Sequence, residues 1–228
     1  MTNRMGRRQA MGAAGALLAG TAVGTAFAQG ANPARKVIAI NGSPRKGMTT
    51  SAGLQVCLDA VKEADNSIQT ELIELGDLSI PAYLAPGLPL REGDTDDFPA
   101  LAKKLTAPEV VGIVVGSPVY FGNMSALCKA FLDRCIALRK DHFALAGKVA
   151  GVVAAGGARN GGQETTIQSI QVALSGQDML ILQTGQPTTR IGATFWNQND
   201  SIAEDDFGRK TAQDLGRNIA GAIAKLAG

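Results

Sequence analysis

Apolar and polar positions fall into short blocks along the chain, and the blocks alternate in period. Residues 36–41 (Lys36-Val37-Ile38-Ala39-Ile40-Asn41) are a β-branched apolar run closed by Gly42-Ser43-Pro44, the pattern of a buried strand entering a tight loop. Residues 50–64 set Leu54, Val56, Cys57, Leu58 and Val61 on one face of a helix. Residues 68–75 set Ile68, Thr70 and Leu72 against Gln69, Glu71 and Glu74, which predicts a second strand. A loop rich in Pro and Gly covers 76–95, and 98–105 reads as a short amphipathic helix. Residues 110–116 form a central buried strand, ended by Ser117-Pro118. The pattern then predicts a helix over 125–138, a buried strand over 148–155, a helix over 162–175 and a last core strand over 179–183. A closing helix spans 204–226, with Phe207, Ala212, Leu215, Ile219 and Ile223 turned inward. Five strands alternating with helices define an α/β domain, a parallel sheet covered by helices on both faces. Ligands of such sheets bind at the carboxyl ends of the strands, where the strand order reverses.

Residues 1–28 follow another logic. Arg4, Arg7 and Arg8 make the start basic, residues 10–28 carry no charge, and Ala26-Phe27-Ala28 has the small-x-small pattern of a signal-peptidase site. Arg7-Arg8 directly before a weakly apolar run resembles a twin-arginine export signal, with Gly6 where a hydroxyl residue is more usual. The expectation is a leader over 1–28, a short linker over 29–35 and one domain over 36–228, located in the periplasm. Gly12, Gly15, Gly20 and Gly24 dilute the apolar run, so stable membrane insertion is not expected. The twin-arginine route carries folded cargo, often with a cofactor already bound, which directs attention to a cofactor site.

Lys+Arg 22 against Asp+Glu 20 is near balance, and without the three leader arginines it becomes 19 against 20. A nucleic-acid partner is therefore not expected. Three cysteines are too few for a disulfide scaffold and too scattered for a zinc finger. Cys128 and Cys135 stand seven apart on one predicted helix, roughly 10 Å of rise, too far to pair. With Cys57 they read as buried thiols. His142, among Arg139, Lys140 and Asp141, reads as a solvated residue, and Trp196 as either a packing residue or a cover for a ligand or interface.

Three loops at strand ends carry candidate chemistry. In Ser43-Pro44-Arg45-Lys46-Gly47-Met48-Thr49-Thr50, hydroxyls, two cations and the amides of a helix start converge, which suits a phosphate monoester. The spacing is neither a Walker loop nor Gly-x-Gly-x-x-Gly. In Pro118-Val119-Tyr120-Phe121-Gly122-Asn123, two aromatics stand beside a glycine, where a planar ring could lie against the loop. In Gly156-Gly157-Ala158-Arg159-Asn160-Gly161-Gly162, four glycines let backbone wrap a ligand edge.

These loops, with Lys129-Ala130-Phe131-Leu132-Asp133-Arg134 and Gln163-Glu164-Thr165, together resemble the NADPH-dependent FMN reductase superfamily, and within it the iron–sulfur flavoprotein branch. The resemblance covers nearly all of residues 36–226. It implies a flavodoxin-like fold, bound FMN, NAD(P)H as electron donor, and a homodimer or homotetramer. It further implies that Ser43, Arg45, Lys46, Thr49 and Thr50 hold the phosphate. Pro118, Val119, Tyr120, Phe121, Gly122 and Asn123 would meet the isoalloxazine, with Gly156, Gly157 and Arg159 along its other edge. The branch carries a compact cysteine cluster in the stretch corresponding to residues 75–91, which here contains no cysteine. A [4Fe–4S] cluster takes about four thiolates, so no iron–sulfur cluster is expected.

The functional expectation is an FMN-dependent oxidoreductase whose electrons pass from NAD(P)H to a small-molecule or protein partner. The alternative is an FMN electron carrier without a small-molecule substrate, which the near-neutral charge fits less well. A phosphate-ester hydrolase lacks a nucleophile–base pair or a metal cluster in the sequence.

Overall fold

The computed structural model describes residues 34–227. The expected leader, and residues 29–33 of the linker, lie outside them. Seven strands and six helices follow in the order β1 (Arg35–Asn41), α1 (Thr49–Ala64), β2 (Ile68–Glu74), α2 (Phe98–Leu105), β3 (Val110–Tyr120), β4 (Asn123–Met124), α3 (Ala126–Arg134), α4 (Ile136–Lys140), β5 (Val149–Gly156), α5 (Gln163–Ser175), β6 (Leu180–Ile181), β7 (Ala193–Trp196) and α6 (Asp206–Leu226).

The main sheet runs β2-β1-β3-β5-β6, all parallel, and β7 pairs with the far half of β5. Strand order reverses between β1 and β3, so the loops after these two strands flank the switch point. Parallel strands are covered on both faces and therefore read as continuous apolar runs; every residue of β5 is buried. On one face α1 and α6 close over Val37, Val114 and Val153 through Leu54, Leu58, Leu215 and Ile219. On the other, α2, α3 and α5 close over Ile38, Ile113 and Val152 through Leu101, Phe131 and Ile167.

The flavodoxin-like α/β expectation holds, with four differences of detail. The strand expected over 110–116 continues to Tyr120, because Pro118 lies beyond the β1 ladder, which ends at Gly116. The helix expected over 125–138 breaks at Cys135 into α3 and α4. The fifth strand position is shared by two short strands: β6 meets Val149 and Ala150, and β7 meets residues 153–156, with the chain leaving the sheet between them. Phe207 does not turn inward; it is 42% exposed beneath Arg190, since the buried stripe of α6 runs through Gly208, Thr211, Ala212 and Leu215 and leaves Phe207 off that face.

Candidate functional site

The site is built from backbone that leaves the carboxyl ends of β1, β3, β5 and β7. The first two departures are stitched together: Gly42 N donates to Gly116 O at 2.7 Å, and the Ser125 hydroxyl donates to Gly42 O at 2.5 Å. Ser125 also caps α3 by accepting from Cys128 N. Its own N–H donates to Ser117 Oγ at 3.0 Å, so one serine fixes the entry of both loops.

In the first loop Ser43, Thr49 and Thr50 are buried, while Arg45, Lys46 and Gly47 are exposed. The side chain at the α1 N-cap, Met48, makes no capping bond. The first intrahelical bond is Ala52 N to Met48 O. Among the described residues the N–H groups of residues 48–51 thus have no partner, and an uncapped helix start is where an anion binds. That donor set, with the Thr49 and Thr50 hydroxyls beside it, fits the phosphate of FMN. Arg45 pairs with Asp200 at 2.9 Å, and Lys46 turns away to Asp77 at 2.6 Å. Asp200 holds the Arg45 guanidinium further above its ordinary value, and Arg45 holds the Asp200 carboxyl below its own.

The second loop is a tight hairpin. Val119 pairs with Met124 and Tyr120 with Asn123, leaving Phe121-Gly122 as a two-residue turn with φ of 50° and 73°. Both central residues are left-handed, the geometry of a type I′ turn. The Phe121 side chain projects fully into solvent and Tyr120 is 44% exposed. Pro118 and Val119 lie half-buried at the hairpin base, and Asn123 Oδ1 accepts from Met124 N. The hairpin leans on the third loop: a Cβ at Gly162, which also has φ of +102°, would stand 2.8 Å from Gly122 Cα. The Thr165 hydroxyl donates to Gly122 O at 2.9 Å.

In the third loop the buried Gln163 side chain acts as a staple. Its amide group donates to Ala158 O and Phe195 O, and its carbonyl oxygen accepts from Gly161 N. It passes over Gly156, where a Cβ would stand 2.7 Å from Gln163 Nε2, so Gly156 answers to packing. Gly157 faces open space. Arg159 pairs with Asp205, whose side chain is fully buried, and lies over the Trp196 ring.

A fourth segment, in which the sequence singled out Trp196 alone, closes the ring of loops. Trp196 Nε1 donates to Gly157 O at 3.3 Å, and Asn197 N donates to Gly156 O at 2.8 Å. Three residues further on, Asp200 reaches back to Arg45. Asn199 and Asp200 both have positive φ, and that adjacent Asn-Asp pair was the available turn signal. The sequence pattern set Glu74 with Gln69 and Glu71 opposite Ile68; the strand's period of two instead puts it on the Ile68 face, where it accepts from Asn41 Nδ2 at 2.5 Å behind the first loop.

Cys57, Cys128 and Cys135 are buried, Cys128 directly beneath Gly42 of the first loop, and burial pushes each thiol up to about 12, which keeps it protonated. His142 is exposed. A cavity of about 460 Å3 walled by Val110, Val111, Ala144 and Ile223 lies among the residues that begin β3 and β5, the wrong end of the strands for this chemistry.

A doubly wound sheet with a phosphate-type loop and an exposed aromatic hairpin at its switch point is the architecture of a flavodoxin-like flavoprotein. Within that class the chain belongs to the NADPH-dependent FMN reductase family, whose model matches residues 35–193. It is a flavin oxidoreductase of the FMN-binding kind. It is 38% identical to an iron–sulfur flavoprotein of Methanocaldococcus jannaschii over 192 residues, covering 82% of this chain and 97% of that protein. An iron–sulfur flavoprotein of Methanosarcina thermophila is 32% identical over 192 residues, 82% of this chain and 95% of the other. Among solved structures, that of RosB with bound 8-demethyl-8-formylriboflavin-5′-phosphate has the same fold, with a TM-score of 0.64 at 16% identity, covering 85% of this chain and 80% of that one.

Proposed function

We propose that this chain is an exported FMN-dependent oxidoreductase that takes electrons from NAD(P)H and passes them to a quinone, a free flavin or a protein partner. The observation that carries this reading is the uncapped start of α1, ringed by the hairpin of Tyr120 and Phe121 and by the loops after β5 and β7. Bound FMN supplies a ring that accepts hydride and hands on electrons. The chain's own residues bind and orient it. Ser43, Thr49, Thr50 and the amides of residues 48–51 would hold the phosphate, with Arg45 turning from Asp200 toward it. Residues 118–123 would border the ring, and Gly157 and Arg159 its other edge. No acid or base on the protein is required.

Absence of an iron–sulfur cluster is part of the proposal. The whole sequence has three cysteines, fewer than the four thiolates a cluster takes. The excursion corresponding to residues 75–91 is held by other means. Tyr83 donates to Asp94 at 2.5 Å, Arg91 lies 4.0 Å over the Tyr83 ring, and Arg134 on α3 grips Asp96 through two bonds. Export rests on the Arg7-Arg8 leader pattern, and self-association on the exposed Phe121, Ile136 and Val172.

The test is the visible spectrum of the protein made under anaerobic, iron-replete conditions, with released flavin identified by chromatography and iron and acid-labile sulfide assayed. The expected result is a yellow protein with FMN near one per chain, bleached by NADPH or NADH without air, and lacking iron. A colourless protein that takes up no FMN overturns the reading, and stoichiometric iron overturns the part about the cluster.

A further inference from the structure

Side chains on a strand alternate between its two faces, so Glu74 shares a face with Ile68, Thr70 and Leu72. Ile68 is fully buried and Leu72 packs against the core under α1. A carboxylate ending this apolar face meets the start of α1. The parallel register sets Glu74 opposite Asn41, and the two side chains hydrogen-bond at 2.5 Å.

The other carboxylate oxygen of Glu74 accepts from the Ser51 hydroxyl and from Gly47 N, the latter at 3.4 Å. Ser51 Oγ accepts in turn from Asn41 Nδ2 at 2.8 Å and from Gly47 N at 3.2 Å. Asn41 Oδ1 takes Ser43 N at 3.0 Å. One carboxylate therefore reaches both ends of the first loop, Ser43 at its start and Gly47 and Ser51 at its finish. The single hydroxyl proton of Ser51 goes to Glu74, so Ser51 has none left for a ligand.

A negative charge beside an anion site works against it. Its presence is accounted for by what it orders. We propose that Glu74 is the positioning residue of the phosphate loop. By holding Gly47 at φ +67° and Ser51 in the first helical turn, it fixes the uncapped helix start that carries the unpartnered N–H groups of residues 48–51. The inference rests on the FMN reading of this loop and adds a residue that does not touch the flavin. It predicts selectivity for a 5′-phosphorylated flavin over the same flavin without phosphate.

The test compares FMN with riboflavin. Dissociation constants of both are measured by flavin fluorescence on full-length wild type, Glu74→Ala and Glu74→Gln, each freed of flavin, with melting temperatures alongside. Wild type is expected to prefer FMN. Glu74→Ala is expected to lose roughly ten- to hundredfold in FMN affinity, the loss of charge-assisted bonds, with riboflavin affinity within about threefold of wild type. Glu74→Gln offers one acceptor oxygen where three donors converge, so its preference also falls, by at least about threefold. A merely structural role would weaken both flavins alike. A merely repelling charge would raise the preference for FMN on removal. Either outcome in a folded variant, or an unchanged ratio, overturns the positioning role while the FMN reading stands. A wild type with no preference overturns the phosphate assignment, and this inference with it.

Discussion

Asp205 satisfies three donors with one side chain. It caps α6 by accepting from Gly208 N at 2.9 Å, accepts from Trp196 N at 2.6 Å, and takes the Arg159 guanidinium. The carboxylate is fully buried, so truncation leaves donors without partners and a helix without its cap. Asp205→Ala is expected to lower unfolding stability by about 2–4 kcal/mol, combining a lost cap with unsatisfied buried groups. Urea unfolding with unchanged slope checks it, and a loss below about 1 kcal/mol would refute the three-donor account. Such partnerships explain why single residues were unevenly legible. The placement of Ser43, Thr49 and Thr50 around the start of α1 was readable because hydroxyl residues next to a predicted helix start mark it locally. The commitments of Arg159 to Asp205 and of Arg45 to Asp200 join positions far apart in sequence, which no local pattern encodes. Glu74 did leave a trace: it breaks the alternation that keeps charge off the Ile68 face of β2.

At the scale of elements, the β3–β4 hairpin is locally strained and globally supported. Type I′ turns favour Asn-Gly because both central residues need positive φ. Gly122 meets that need, but Phe121 at φ 50° carries a Cβ into the left-handed region, at a cost of roughly 1–2 kcal/mol. Its ring gains nothing in return from the described residues, since it is fully exposed. The Thr165 bond to Gly122 O and the Ser125 bond to Gly42 O hold the hairpin in place against that cost. Phe121→Asn is therefore expected to raise stability by about 1 kcal/mol, roughly 2–4 °C in melting temperature for a domain of this size. Because the ring is offered to the proposed flavin surface, the same variant is expected to bind FMN more weakly. Calorimetry and an FMN titration on one preparation separate the two effects, and a more stable variant with unchanged FMN affinity would remove Phe121 from the flavin surface. Continuous apolar strands and amphipathic helices were legible here because period and burial coincide. The hairpin was read as a loop because Ser117-Pro118 mimics a strand end. The split fifth strand was missed because Ala193-Thr194-Phe195-Trp196 is only four residues long, too short a run for a period to stand out, although it is almost wholly buried.

For the whole molecule, the feature least legible in the sequence is how the excursion between β2 and α2 is tied to the body. Its Pro- and Gly-rich composition reads as an unconstrained loop, yet Asp96 near its end meets Arg134 on α3 through two bonds of 2.9 and 2.7 Å. The Arg134 guanidinium also lies 4.7 Å over the Phe98 ring, and Asp96 Oδ1 accepts from Phe98 N at 3.1 Å. Both charged side chains are largely withdrawn from water, so this pair is worth more than a surface ion pair. The hydrogen bonds from Arg134, joined by that from Phe98 N and the Arg134 charge, outweigh burial and hold the Asp96 carboxyl below its ordinary value. A carboxyl depressed in the folded state contributes stability that is fully present above its unfolded value, about 3.9, and is lost as pH falls through the lower folded value. Asp96→Asn removes that contribution. At neutral pH the variant is expected to be less stable than wild type by about 2–3 kcal/mol, the cost of leaving Arg134 largely buried without its partner. The gap is expected to start closing as pH falls past about 4 and to close fully only below the lower folded value, where native Asp96 itself takes up the proton that Asn mimics. Urea unfolding from pH 7 to pH 3 reads the gap directly. A gap that stays constant across that range would show that the Asp96 charge contributes nothing, and that the excursion is held by Tyr83, by the bonds of Ser79 to Thr95 O and Asp97, and by packing alone.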